Sequence, residues 1–468
     1  MSSRGLAASA AVVGWMLAAS SLAAGASPEV ESQIRDMQAR MQRMEDQLQA
    51  ASDQLDTANH HVEEQSQLIE NSGLVQTRGA SNGLPGFLGQ IKVGGSVSAT
   101  YLYNGNDPND HDNGGLGGTN SGMNGAFYPL HPDHNSFAFQ AAWFEIGRDV
   151  DEENRGGFYF ETAYGKTGQL DNIGGLSNRD VRDDTGFYLS QGYVQYLAPI
   201  GDGVTFQMGK FATTIGKEVA NSAYNWNITQ GSVYQLLEPL DHIGIIASYA
   251  FGDSGFDAAL GGVNGYFPDD PDRNDAKSIL GHVGWASDKV SFGVNGMWGG
   301  EQTGFDGAES GVVNTVLSVQ ATDRLAFWID GDYNWIDASG DPNAWGIAAA
   351  ARFGITDRTG IALRGEYVAD SDRFLGFCGF GATVASSPCS SDSPTDIVPT
   401  GFEVWDVTAT VDHLLTDNLM IRGEVRYDDI NKDSTDNAEF FQDSSDFDND
   451  QIVVGVEAIY SFDKFGGE

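Results

Sequence analysis

Basic residues are scarce in this chain: 25 Lys and Arg stand against 66 Asp and Glu, for a formal net charge of -41 and a pI ≈ 4.2. Such a charge balance repels phosphate backbones, so nucleic-acid binding is excluded. Cysteine is nearly absent. The two present, Cys378 and Cys389, share one Ser/Pro/Gly-rich segment and can bridge it, which excludes a disulfide-dense scaffold. Long apolar runs are missing after the N-terminus, and a membrane-crossing helix needs about 20 such residues. The zinc-hydrolase pattern His-Glu-x-x-His does not occur, and an enzymatic role is not expected. Asp446, Asp448 and Asp450 have the spacing of a calcium loop but lack its glycine and closing glutamate, so they read as a solvated acidic rim. His131-Pro132-Asp133-His134 offers no evident third ligand. No metal or cofactor is expected.

What is present begins with an export signal. Arg4 precedes the apolar stretch Leu6 to Ala19, and Ala24-Gly25-Ala26 supplies small residues for cleavage, so 1–26 reads as a signal peptide. In 27–73 the texture changes: Ile34, Met37, Met41, Met44, Leu48, Ala51, Leu55, Ala58, Val62 and Ile69 follow alternating three- and four-residue steps, with Gln65 as the polar exception. One isolated helix cannot bury that stripe, so it predicts self-association through an α-helical coiled coil. The alternative is an amphipathic helix lying on a surface, which would need more basic residues than this one has. A Gly/Ser/Asn-rich linker, 74–89, follows.

From residue 90 to 468 the pattern has period two. Candidate strands recur from 88–103 to 451–462, about 16 in all and near ten residues each. The pair 402–414 and 418–428 is representative. Val407, Ala409, Val411, Leu419, Ile421 and Val425 make one oily face, whereas Arg422, Glu424 and Arg426 make a charged one. Tight turns such as Ser287-Asp288, Thr322-Asp323, Thr356-Asp357 and Thr416-Asp417 alternate with longer acidic connections. A soluble sandwich or propeller explains the strands but not that alternation. A transmembrane antiparallel up-and-down β-barrel explains both, with its oily face toward lipid and its termini on the tight-turn rim. Tyr103, Phe292, Trp298, Tyr333, Trp405 and Tyr460 lie where aromatic girdles belong. By parity Arg352, Arg364, Glu366, Asp406, Arg422, Glu424 and Arg426 face the lumen as pore-lining residues, with Asp330, Asp332 and Asp412 beside them. Charges of both signs there predict a polar, hydrated interior. A salt-bridge ladder that satisfies buried charges would use the same residues.

The block Gly209 to Phe251 carries Gly209-Lys210-Phe211, Gly216, Glu218-Val219, Asn225-Trp226-Asn227, Glu238-Pro239 and Gly244. It resembles the central block of the OmpL-like beta-barrel porin family. The resemblance implies an outer-membrane porin of a Gram-negative bacterium, passing small hydrophilic solutes or ions by passive diffusion. Its partners would be outer-membrane lipid and lipopolysaccharide. The N-terminal coiled coil is similar to that of trimeric stalked porins, implying a homotrimer with the stalk in the periplasm and the long loops outside. Alternatives are a substrate-specific channel for siderophores or carboxylates, or an envelope protein tethering the outer membrane to the cell wall. General porins fold their third outer loop inward, and the loop 212–241 is similar in rank and composition. Glu218, Tyr224, Asn225, Trp226, Asn227 and Tyr234 are then its constriction residues, unless its aromatics pack on the rim or on a neighbouring subunit.

Overall fold

Alternation of apolar and polar residues becomes a wall with two faces. The computed structural model describes residues 40, 42, 90–106, 130–131, 133–168, 186–266, 275–300, 309–337, 342–370, 402–432, 441–443 and 446–462. Within Gln90–Glu468 sixteen antiparallel strands close into a barrel. They are β1 (Lys92–Asn104), β2 (Ser136–Arg148), β3 (Gly156–Tyr164), β4 (Phe187–Ala198), β5 (Val204–Ala212), β6 (Asp241–Ala250), β7 (Phe256–Val263) and β8 (Ser278–Ala286). After these come β9 (Val290–Gly300), β10 (Glu309–Gln320), β11 (Leu325–Ile336), β12 (Asn343–Gly354), β13 (Thr359–Asp370), β14 (Phe402–Leu414), β15 (Leu419–Lys432) and β18 (Asp450–Phe462). Each strand pairs with its sequence neighbours, and β1 closes on β18 with Gly95 opposite Phe462 and Asn104 opposite Val453. Closure leaves no unpaired edge in lipid, where an unsatisfied backbone group costs several kcal/mol.

The expected strands coincide with the observed ones to within a few residues. A small extra hairpin, β16 (Phe441–Asp443) with β17 (Asp446–Asp448), was not expected and sits in the acidic connection before β18. Alternate positions point outward and are exposed and apolar: Val407 and Val411 on β14, Ile421 and Val425 on β15, Ile452, Val454 and Val456 on β18. Exposed Tyr103, Trp298, Tyr333, Trp345, Trp405 and Tyr460 lie near strand ends. Trp405 packs on Tyr427 at 5.3 Å between ring centres, and Tyr333 stacks on Trp335 at 5.9 Å. An amphipathic ring suits the boundary between hydrocarbon and water.

The interior is layered rather than uniformly polar. Toward the long-connection rim, inward-facing Leu102, Val312, Val368, Val404, Ile430 and Val453 are all buried and belong to one apolar cluster. The polar layer, with Arg364, Glu366, Asp406, Arg422, Glu424 and Arg426, lies next to it along the same strands. The expectation of a polar interior therefore holds for one layer only, because a loop supplies apolar partners for the other. The signal peptide and the cysteine pair lie outside the described residues. Of the coiled-coil segment only Arg40 and Gln42 are described, and both are helical.

Candidate functional site

Between β5 and β6, residues 213–240 run inside the barrel. Their apolar side chains carry the reason: Ile215, Ile228, Val233 and Leu237 are at most 2% exposed and join the inward apolar ring. Burying such a side chain is worth about 1.5–3 kcal/mol, which offsets part of the cost of ordering the segment. Local structure is short and capped. Asn221 accepts from the Ala223 amide through its side chain and starts a single 3-10 turn, Ser222–Tyr224. A helix of six residues, α1 (Ser232–Leu237), follows Gly231.

The barrel wall satisfies the amides at the start of α1, which would otherwise be orphaned. Val233 N–H donates to Glu366 Oε2 at 2.9 Å, and the Ser232 hydroxyl donates to Asp406 Oδ2 at 2.6 Å. Gly231 is required here, since a Cβ at that position would collide with the Glu366 carboxylate. Gly216 is constrained twice over: its φ is +89°, and a Cβ would strike the Glu238 carboxylate.

Three buried arginines hold the loop by its backbone. Arg364 donates from Nη1 to Glu218 Oε1 at 2.6 Å and to the Thr229 carbonyl at 2.7 Å, and its Nε lies 2.9 Å from Glu366 Oε1. Arg426 donates to the Gln230 carbonyl at 2.5 Å and pairs with Asp428 at 2.7 Å and Asp406 at 3.3 Å. Arg422 donates to the carbonyls of Asn225 at 2.8 Å and Ser222 at 3.0 Å and pairs with Glu457. Glu424 works in the opposite sense, accepting from the amides of Ile228 at 2.6 Å and Thr229 at 3.0 Å. All four side chains are at most 4% exposed. Charge-assisted bonds of this kind are strong where water is excluded. By contrast Arg352 stays about a third exposed, clasping Asp412 at 2.6 and 3.0 Å nearer the tight-turn rim.

The expected loop residues occupy distinct places. Glu218 braces Arg364 and the Gly231 amide, the latter at 2.6 Å. Tyr224 is half exposed and reaches across to Glu145 on β2, donating at 2.7 Å. Asn225 folds back on Val219, Asn227 donates to Thr410 on β14 at 2.7 Å, and Trp226 faces Trp328 at 6.4 Å between ring centres. Tyr234 is buried apart from them, with Leu130, Trp143 and Tyr188. Sequence reasoning overlooked Glu457, Asp428, Glu145 and Thr229. Glu457 was accessible to it, because by parity it is the one charged inward position of β18.

At the described end of the first long connection, Leu130 and His131 are buried as well. His131 is buried, and burial together with the nearby Arg422 and Arg426 lowers its pKa to about 3, so the ring is neutral at physiological pH. Asp133 of the same motif pairs with Lys166 at 3.0 Å.

A family model described as "Putative beta-barrel porin-2, OmpL-like" matches residues 90–462. No curated protein matches the chain in sequence. Among solved structures, the anion-selective porin from Comamonas acidovorans is 12% identical with a TM-score of 0.51, covering 80% of this chain and 99% of its own. The outer membrane channel DcaP of Acinetobacter baumannii is 9% identical with a TM-score of 0.49, over 80% and 97% of the two chains. OprB of Pseudomonas putida gives 11%, 0.47, 80% and 95%. At such identities the likeness to the Comamonas porin concerns the fold.

Proposed function

Because this chain belongs to the OmpL-like porin-2 family and is an outer-membrane β-barrel channel, we propose that it admits small hydrophilic solutes by passive diffusion past its inward third loop. One observation carries this reading: residues 213–240 are clamped inside a closed barrel by Arg364, Arg422, Arg426 and Glu424. A loop fixed by buried charge pairs narrows the lumen to a constant width, as size-selective diffusion requires. Arg352, Arg364, Glu366, Asp406, Arg422, Glu424 and Arg426 then act as pore-wall residues whose task is to hold the loop.

The same pairing supports cation preference. Four lumen arginines, 352, 364, 422 and 426, face seven carboxylates: Glu218, Glu366, Asp406, Asp412, Glu424, Asp428 and Glu457. Every arginine is neutralised locally, so the excess field along the passage is negative and draws in cations. Nothing in this arrangement requires catalysis, and we read the chain as a channel and not an enzyme. The domains 1–26, 27–73, 74–89 and 90–468 fit export, a periplasmic coiled coil, a linker and a barrel, with the long loops extracellular. The heptad stripe and the resemblance to stalked porins support a homotrimer. Swelling of liposomes in saccharides of increasing size tests the reading. A sharp size cut-off that relaxes when residues 217–235 are deleted supports it, and an impermeable bilayer with correctly folded protein contradicts it.

A further inference from the structure

Outside the arginine clamp, three carboxylates converge where the far end of the third loop meets the wall. Asp330 and Asp332 alternate on β11 and so share its inward face, while Glu238 arrives from the loop just after α1. One oxygen from each lies within 4.8 Å of the others, and all three residues are buried. Wall and loop together orient the aspartates. Asn314 donates its amide to Asp330 Oδ1 at 2.6 Å and to Asp332 Oδ1 at 3.1 Å, and the Lys217 amide donates to Asp330 Oδ2 at 2.7 Å.

Two oxygens remain over. Glu238 Oε2 and Asp332 Oδ2 are buried with no hydrogen-bond partner, on side chains 6% and 4% exposed. Asn334, two residues further along the same face of β11, likewise keeps its Oδ1 buried and unpartnered, while its amide nitrogen donates to the Leu237 carbonyl at 3.2 Å. Burying a carboxylate oxygen with no donor or cation beside it is unfavourable. We propose that Glu238, Asp330 and Asp332 form a calcium site that ties the third loop to β11.

Calcium takes six to eight oxygens at 2.3–2.6 Å, so no two of its ligand oxygens lie more than about 4.6–5.2 Å apart, a limit these three oxygens satisfy. The remaining positions go to water or neighbouring oxygens, a flexibility that suits calcium better than the octahedral magnesium ion. Burial, followed by the negative charges of Asp330, Asp332 and Glu218, holds the Glu238 carboxyl well above its ordinary range, so a proton is the competing occupant. Glu238 lies in the loop and the aspartates in the wall, so calcium would stiffen the constriction. The site does not depend on whether the barrel conducts.

Calorimetric titration of CaCl2 and of MgCl2 into the full, chelator-treated chain folded in detergent free of lipopolysaccharide tests this. One calcium site per chain is expected, tighter than magnesium and weakened about tenfold or more by Asp332→Asn or Glu238→Gln. The rim variant Asp446→Asn/Asp448→Asn should bind as the unmutated chain does. Absence of stoichiometric calcium binding, or affinity unchanged in both site variants, overturns the proposal. Should those variants fail to fold, Tb3+ on the unmutated chain decides it. Trp328 lies two residues before Asp330 on the same inward face, so its excitation should sensitise calcium-displaceable Tb3+ emission that Trp328→Phe dims. Emission that calcium does not displace, or that Trp328→Phe leaves unchanged, counts against the site.

Discussion

Replacing Arg364 by methionine keeps an unbranched apolar stem while removing the charged guanidinium. The loop then loses its bonds at Glu218 and at the Thr229 carbonyl, and Glu366 loses its partner at 2.9 Å. Glu366 and Asp406 are left buried with less compensation, and the Glu218 carboxylate, its side chain only 7% exposed, loses its arginine. Removing one partner of a buried pair costs about 3–5 kcal/mol. Because the wall strands keep their ladders, that cost falls on loop docking. A loss of that size raises the undocked fraction by roughly two to three and a half orders of magnitude. Single-channel recording of Arg364→Met should show larger, noisier conductance, with a shift toward stronger cation preference because one positive charge is gone. Limited proteolysis should also cut within 217–235 where the unmutated loop is protected. Conductance, noise and protease resistance all unchanged would refute the idea that the clamp holds the loop.

Gly231→Ala drives a methyl group into the Glu366 carboxylate and should weaken loop docking by about 1–3 kcal/mol, read as earlier proteolysis within the loop while the strand content by circular dichroism is unchanged. The pH response of docking follows from Glu238. Its folded pKa is raised by burial and by Asp330 and Asp332, so this contribution is complete below the unfolded value of about 4.3 and is lost as pH rises through the folded value. Without calcium the loop should therefore become more protease-sensitive from pH 4.5 upward, and calcium should flatten that trend. His131, in the first long connection, has the opposite sign: its lowered pKa favours the packed state of that connection above about 6.5 and withdraws that support as pH falls toward 3. His131→Asn should flatten the acid limb only. If the stripe in 27–73 holds the proposed homotrimer, deleting it should leave monomers by native mass spectrometry with single-pore conductance unchanged.

Strand boundaries were legible because each strand obeys a local rule: a wall with lipid on one face must alternate, and Val407, Val411, Ile421 and Val425 announce it without reference to distant residues. The inward parity of Arg364, Arg422 and Arg426 was legible for the same reason. Their partners were not. Arg422 meets the Ser222 carbonyl 200 residues away, and Arg364 meets Glu218 at a separation of 146, so no periodicity links them. The apolar ring escaped notice because Leu102, Val368, Val404 and Ile430 read as ordinary strand residues until the third loop supplies Ile228, Val233 and Leu237 opposite them. The convergence of Glu238 with Asp330 and Asp332 had the same obstacle. Two of the three share a strand, and only loop docking brings the third.

Folded protein reconstituted in planar bilayers, with conductance and then reversal potential measured across a KCl gradient, tests the central claim most directly. A channel narrowed by a clamped loop and governed by paired arginines should give discrete open steps and a cation-selective reversal potential. No conductance from correctly folded protein, or clear anion selectivity, would contradict the account.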